Sequence, residues 1–252
     1  FSPRFVLSCS EEAMRRSVSE ARARGALLHT HSSENSEEVA LVRERTGMGN
    51  VEYLHSIGFT GPDVLLAHGV WLSPSERSKL KATGTRIVHC PSANLKLASG
   101  IARVVDLLEA GVHVCLGADG AACNNGLDAF MELRLAALLH KPRSGPTAIP
   151  AALALRLATR RGALALGLDD CGSIEVGHRA DITLLDLQKP HCMPSTGDVV
   201  SRIVYSARPS DVHSVLIDGR LVVDAGELTT MKLPRILREA DTASARVRER
   251  AL

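Results

Sequence analysis

The stretch Ala26-Leu27-Leu28-His29-Thr30-His31-Ser32-Ser33-Glu34 decides how the chain is read: a short apolar run stops at two histidines, and a carboxylate follows three residues later. If residues 26–31 form a strand, its two-residue period puts His29 and His31 on one face, with Glu34 on the loop just beyond. A metal ligand and an acid/base are often placed together in this way. The plain alternative is a pair of surface histidines on a strand edge.

Working outward, the same arrangement recurs. Residues 63–68 (Asp-Val-Leu-Leu-Ala-His), 86–90 (Arg-Ile-Val-His-Cys) and 112–116 (Val-His-Val-Cys-Leu, running into Gly117-Ala-Asp119-Gly120) read as strands, as do residues 4–9. Helices are expected between them at 13–24, 37–45, 51–57, 74–82, 101–110, 127–140 and 149–165, with a polar loop at 92–96. Ser73-Pro74 with Glu76 gives a helix cap followed by proline at the first helical position. Alternating β and α elements with continuously apolar strands signify a parallel sheet covered by helices. Strand after strand closes on a polar residue: His31, His68, His89, Asp119. In a (β/α)8 barrel the active site lies at the carboxyl ends of the strands, which matches this pattern.

After Gly167 the character changes. Strands are expected at 180–186, 202–205 and 212–217, Asp218-Gly219 reads as a tight hairpin into 221–223, and 234–252 is a charged, Ala-rich closing helix. The expected division is a partial catalytic barrel over 1–168, a small β domain over 169–230 and a helical tail over 231–252.

Composition narrows the function classes. A formal charge of +2 with both signs interspersed offers no basic stripe for nucleic acid and no polybasic membrane anchor. No run approaches the roughly 18 apolar residues of a membrane span. The six cysteines (Cys9, Cys90, Cys115, Cys123, Cys171, Cys192) lack a Cys-x-x-Cys pair and read as reduced thiols, so the expected compartment is the cytoplasm.

Five motifs in consistent order, Thr30-His31-Ser32-Ser33-Glu34, Leu66-Ala67-His68, His89-Cys-Pro-Ser-Ala-Asn-Leu-Lys-Leu-Ala-Ser-Gly100, Gly117-Ala-Asp119-Gly-Ala-Ala-Cys-Asn-Asn125 and Gly172-Ser-Ile-Glu-Val-Gly-His-Arg-Ala-Asp181, resemble the amidohydrolase superfamily. The branch most resembled holds the S-adenosylhomocysteine, methylthioadenosine and 5′-deoxyadenosine deaminases and the triazine hydrolases. The resemblance implies the C-terminal part of a metal-dependent (β/α)8 barrel, about five βα units, plus part of a small β-sandwich domain. It implies that His31 ligates one divalent metal, zinc first with iron or manganese as alternatives, and that Glu34 is the general acid/base. It further implies that His68 holds the attacking water or the substrate, and that Asp119 ligates the metal and accepts the water's proton. His29, His89, Ser92 and Asn94 are expected around the substrate. His178 stands where the resembled motif usually has lysine. His55, His113, His140, His191 and His213 show no functional context.

The implied reaction is hydrolytic deamination of an aminated N-heterocycle, with adenosine-type nucleosides first. A triazine amino- or chlorohydrolase and a guanine- or pterin-type deaminase are alternatives within the class. A non-catalytic fragment or assembly module is the alternative outside it. The expected partner is a small heterocyclic substrate, with no nucleic acid and no membrane, and a homo-oligomer in the full-length enzyme. The resembled enzymes carry a further His-x-His on their first barrel strand, far upstream of His-x-x-Glu. Taking His29-Thr30-His31 as that pair would shift every later motif and leave five strands to close a barrel. The expectation is therefore that the chain is a C-terminal portion of a longer enzyme and is inactive alone.

Overall fold

A computed structural model describes residues 1–251; the last residue expected in the tail helix, Leu252, lies outside them. The first part alternates as expected: α1 (Glu11–Ala23), β1 (Leu28–Ser32), α2 (Ser36–Thr46), α3 (Asn50–Ser56), β2 (Val64–His68), α4 (Pro74–Thr83), β3 (Arg86–His89), α5 (Pro91–Lys96), α6 (Val104–Glu109) and β4 (Val114–Leu116). Short α7 (Ala121–Asn124) and α9 (Lys141–Ser144) flank α8 (Ala129–Leu138), and α10 (Ala151–Ala158) and α11 (Arg160–Ala165) follow. The four strands pair in parallel in the order β1-β2-β3-β4. Thr30 lies opposite Leu66, Leu66 opposite Ile87 and Ile87 opposite Val114.

Alternation along each strand creates two faces. Leu28, Leu66, Ile87 and Val114 are fully buried against Met14, Leu54, Leu80 and Leu107 of the outer helices. Each such side chain contributes about 1.5–3 kcal/mol. The opposite face carries Leu27, Leu65, Val88 and Cys115 and meets Ala165 of α11. Helix α11 covers the amino ends of the strands: the Arg86 Nη1 donates to the Ala165 carbonyl at 2.6 Å and the Arg161 Nε to that of Val114 at 2.8 Å. The carboxyl ends are left for the site.

Local chemistry accounts for several boundaries. At α4 the Ser73 hydroxyl accepts from Glu76 N at 3.2 Å, while the Glu76 carboxylate accepts from Ser73 N at 2.9 Å, and Gly84 ends the helix in the left-handed conformation. The hairpin turn residues Asp218 and Gly219 have φ of 51° and 75°, the pair a two-residue turn requires.

The structure departs from expectation at four places. Residues 4–9 form turns instead of a strand. Beside β1, the carbonyls of Phe1 and Arg4 accept from His29 N and His31 N at 2.9 Å each, and the intervening Pro3 has no N–H with which to build a regular ladder. The expected loop at 92–96 is helical, because Pro91 begins α5 at a position where its missing N–H costs nothing. The helix expected over 149–165 breaks at Thr159 (φ −117°, ψ −97°) into α10 and α11. The strand expected at 202–205 is the end of α12 (Val199–Tyr205). There Asp198 caps Ser201 N at 2.8 Å, and Val204 is fully buried in the cluster that holds Leu133 and Leu157.

The remaining elements are β5 (Ile182–Leu185), β6 (Val212–Ile217), β7 (Arg220–Asp224) and β8 (Glu227–Leu228), an antiparallel sheet in chain order, and the long α13 (Leu233–Ala251).

Candidate active site

At the carboxyl ends of the parallel strands, the register that aligns Ser32 with His68 also brings the strand-end side chains together. His31 Nε2 lies 4.0 Å from Asp119 Oδ1, and His68 Nε2 lies 3.8 Å from Glu34 Oε2. The His31 and His68 rings are 5.2 Å apart, centre to centre. His31, His68 and Asp119 each offer one donor atom, and those atoms all lie within 4.8 Å of one another, close enough to share one cation.

The backbone places these groups by unusual means. His68 (φ 76°), Asp119 (φ 61°) and Ser33 (φ 56°) all sit in the left-handed region, which a bulky residue adopts only where its surroundings enforce it. Glycine is required at 117, because a Cβ there would lie 2.6 Å from Val88 Cγ1. That contact sets how closely the Asp119 loop approaches β3.

Both imidazoles are oriented from behind. His31 Nδ1 lies 2.9 Å from the Arg4 carbonyl, which only accepts, so the proton is on Nδ1 and Nε2 presents a lone pair to the cluster. His68 Nδ1 lies 2.8 Å from Asn94 Oδ1, and its Nε2 is buried with no hydrogen-bond partner among the described residues. An imidazole that donates one N–H to an oxygen and exposes the other nitrogen is the usual arrangement of a metal-site histidine. With the Asp119 carboxylate beside them, these donors suit a divalent cation, and the orphaned His68 nitrogen is aimed at the same space.

Of the other expected residues, His29 shares the inner face with His31 at a ring separation of 6.1 Å and lines a cavity of about 640 Å³. Burial holds it below the usual imidazole range, and His31 and His68 add to the effect. Asn94 reaches the site through His68. His89 is fully buried, both ring nitrogens lack partners among the described residues, and burial together with His140 and His68 lowers its pKa to about 3. Its nearest imidazole neighbour is His140, at 5.7 Å. Ser92 points its backbone N–H at Glu132 Oε2, 3.1 Å away, and its hydroxyl is buried without a partner among the described residues.

Three residues that shape the site were not expected. Ser99 donates to Glu34 Oε1 at 3.3 Å. Glu38, 4% exposed, accepts from Ser33 N at 3.2 Å and Glu34 N at 2.7 Å, and also binds the Asn50 amide. Glu132 accepts from Asn124 Nδ2 at 2.6 Å, which in turn reaches the Ala118 carbonyl at 2.8 Å, tying the Asp119 loop to α8. For Glu38 a sequence signal existed: Asn35-x-x-Glu38 is a helix-start pattern, and Asn35 does cap α2. Nothing near Ser99 or Glu132 in sequence announces their partners.

The profile of the amidohydrolase family matches residues 1–222. A 5′-deoxyadenosine deaminase of Methanosarcina acetivorans is 44% identical over the whole chain, which covers 58% of that relative. A 5-methylthioadenosine/S-adenosylhomocysteine deaminase of Pelotomaculum thermopropionicum is 41% identical over 98% of the chain and 57% of its own length. Among solved structures, an adenosine deaminase from Xanthomonas campestris with bound zinc superimposes with a TM-score of 0.95 at 34% identity, over 99% of this chain and 57% of that one. An atrazine chlorohydrolase from Arthrobacter aurescens complexed with zinc gives 0.90 at 27% identity, over 96% and 54%. The chain thus spans somewhat more than half the length of the relatives it matches.

Proposed function

The chain belongs to the amidohydrolase family, and on that premise we propose that its site serves the hydrolytic removal of an exocyclic amine from an adenosine-type nucleoside. The observation that carries the reading is the Glu34 carboxylate, 3.8 Å from His68 Nε2 and beside the His31–Asp119 pair. Such a set places a proton carrier next to a polar cluster able to activate water. The names of the two relatives and of the zinc-bound adenosine deaminase support the choice of substrate.

His31 and Asp119 would hold a divalent metal, zinc first because the two superimposed structures contain it. When bound, such a metal supplies Lewis acidity that makes a nucleophilic water available near neutral pH. The chain's own groups do the rest. His68, its Nδ1 fixed by Asn94, turns Nε2 toward the site as a hydrogen-bond acceptor for the attacking water. Asp119 accepts the proton that water gives up. Glu34 delivers a proton to a ring nitrogen, which makes the adjacent carbon more electrophilic; it then takes the hydroxyl proton of the collapsing adduct and passes it to the departing amine, and the proton held by Asp119 resets Glu34. Proton transfer of this kind is typically worth about 10²- to 10⁴-fold. The buried Glu38 and the Ser99 hydroxyl keep the Glu34 loop in place for both transfers. Assembly into a homo-oligomer and a cytoplasmic location belong to the same proposal; the six free cysteines support the latter.

A chimera tests this reading. The chain replaces the matching 58% of the Methanosarcina acetivorans 5′-deoxyadenosine deaminase, and ammonia and chloride are scored against 5′-deoxyadenosine, methylthioadenosine, S-adenosylhomocysteine, guanine and a chlorotriazine. Ammonia from the adenosine-type compounds, lost in the Glu34→Gln chimera, is the expected result. A folded, zinc-loaded chimera that releases only chloride, or one indifferent to Glu34→Gln, overturns the assignment.

A further inference from the structure

A second group of potential ligands lies outside the barrel. Pro190, His191 and Cys192 form a 3-10 turn between β5 and α12, and Pro209, Ser210 and Asp211 form another just before β6. The two turns face each other: His191 Nε2 is 2.8 Å from Asp211 Oδ2, and one donor atom each from His191, Cys192 and Asp211 lies within 4.8 Å of the other two. Cys192 and Asp211 are each 2% exposed, and the His191 side chain is 26% exposed.

Two features distinguish this cluster from an ordinary hydrogen-bonded corner. The Cys192 thiol is buried and makes no hydrogen bond among the described residues; its backbone alone is engaged, the N–H donating to the Lys189 carbonyl at 2.9 Å and the carbonyl accepting from Arg202 Nε at 2.7 Å. Both hydrogen bonds to the Asp211 carboxylate, from His191 and from Arg208 N at 2.8 Å, fall on Oδ2, leaving Oδ1 without one among the described residues. The neighbouring cations are committed elsewhere. Arg202 donates to the carbonyls of Cys192 and Leu187, and Lys189 pairs with Asp186 at 2.8 Å. Burial alone would raise the Asp211 pKa, but His191, the Arg208 N–H and the charge of Lys189 hold it below the usual carboxylate range, so the carboxylate is kept as an anion able to ligate.

We propose that His191, Cys192 and Asp211 form a structural zinc site that pins the 190–192 turn to the 209–211 turn at the end of the antiparallel sheet where β5 finishes and β6 begins. Thiolate, imidazole and carboxylate are all zinc ligands, and the thiolate selects against magnesium and calcium. The thiolate and carboxylate together neutralise the two charges of the ion. On binding, the Cys192 thiol proton passes to solvent and the His191 proton moves from Nε2 to Nδ1, so each ion releases one proton. The partly exposed His191 side leaves the fourth position to water. The site stands independently of the deaminase reading.

The test uses the whole chain with the barrel donors removed by His31→Ala and Asp119→Asn. Dialysed against zinc, this double variant should retain one ion per chain, measured by atomic absorption. Adding Cys192→Ser or His191→Gln should weaken retention by at least ~10-fold. Loaded with cobalt, the double variant should show a near-ultraviolet thiolate-to-cobalt charge-transfer band that survives Cys123→Ser and disappears with Cys192→Ser. The cobalt spectrum decides the matter even if Cys192→Ser unfolds the small sheet. No retained zinc in the double variant, or a cobalt spectrum without a thiolate band, reduces the cluster to a His191–Asp211 hydrogen bond and overturns the proposal.

Discussion

The backbone N–H of Glu34 donates to the buried Glu38 carboxylate at 2.7 Å, so the residue proposed to carry protons is held by a second carboxylate four positions along the chain. Burial raises the Glu38 pKa, while the N–H groups of Glu34, Ser33 and Asn35 oppose the rise. Replacing Glu38 with Ala leaves the Ser33 and Glu34 donors and the Asn50 amide without their acceptor. At about 1–3 kcal/mol for buried groups left unpaired, chemical denaturation should show a loss in that range. Glu38→Gln, which keeps an acceptor oxygen, should lose less; equal losses would assign the effect to packing instead.

Asn94 is a positioning residue for His68. Asn94→Ala removes the oxygen that fixes the proton on Nδ1, so His68 should populate both neutral tautomers. Nitrogen NMR of the imidazole reads this directly, without reference to turnover. In the chimeric enzyme kcat should fall about 10- to 100-fold, with KM changed far less, the scale expected when an outer hydrogen bond to such a histidine is lost.

His89 makes the fold sensitive to acid. Burial lowers its folded pKa to about 3, against 6.5 for the free side chain. Between those values the unfolded chain binds more protons than the folded one. Stability is therefore fully present above pH ~6.5 and is lost as pH falls toward ~3, at up to about 1.4 kcal/mol per unit. His140 and His29, also lowered by burial, act in the same direction. In urea titrations from pH 7 to pH 4, His89→Leu should flatten this dependence, and it should cost little at pH 7 because neither ring nitrogen has a partner to lose. An unchanged pH slope would place the acid sensitivity elsewhere.

Gly117→Ala should disturb the site from below. The added methyl would lie 2.6 Å from Val88 Cγ1 and 3.4 Å from Cys90 Sγ. Overpacking of this kind costs about 1–3 kcal/mol, and relief requires Val88 or the loop bearing Asp119 to shift. Thermal denaturation should show the loss. A second substitution, Val88→Ala, should recover part of it.

Much of this protein was legible in the order of its residues. Apolar runs ending in His31, His68 and Asp119 marked the strands and the cluster at their carboxyl ends, Ser73-Pro74 with Glu76 marked the start of α4, and Asp218-Gly219 marked the hairpin, because periodicity, caps and turns are written within a few consecutive residues. Tertiary structure decided the rest. Residues 202–205 form a short apolar run compatible with strand or helix, and the burial of Val204 against α8 and α10 selects the helix. The strand expected at 4–9 gave way to turns, the chain leaving β1 after the Arg4 carbonyl and closing on itself through the Ser8 N–H and the Phe5 carbonyl at 3.1 Å. Asn94 meets His68 across 26 residues, and Ser99 meets Glu34 across 65. Such partners are brought together by the parallel register of the strands, which no local pattern encodes.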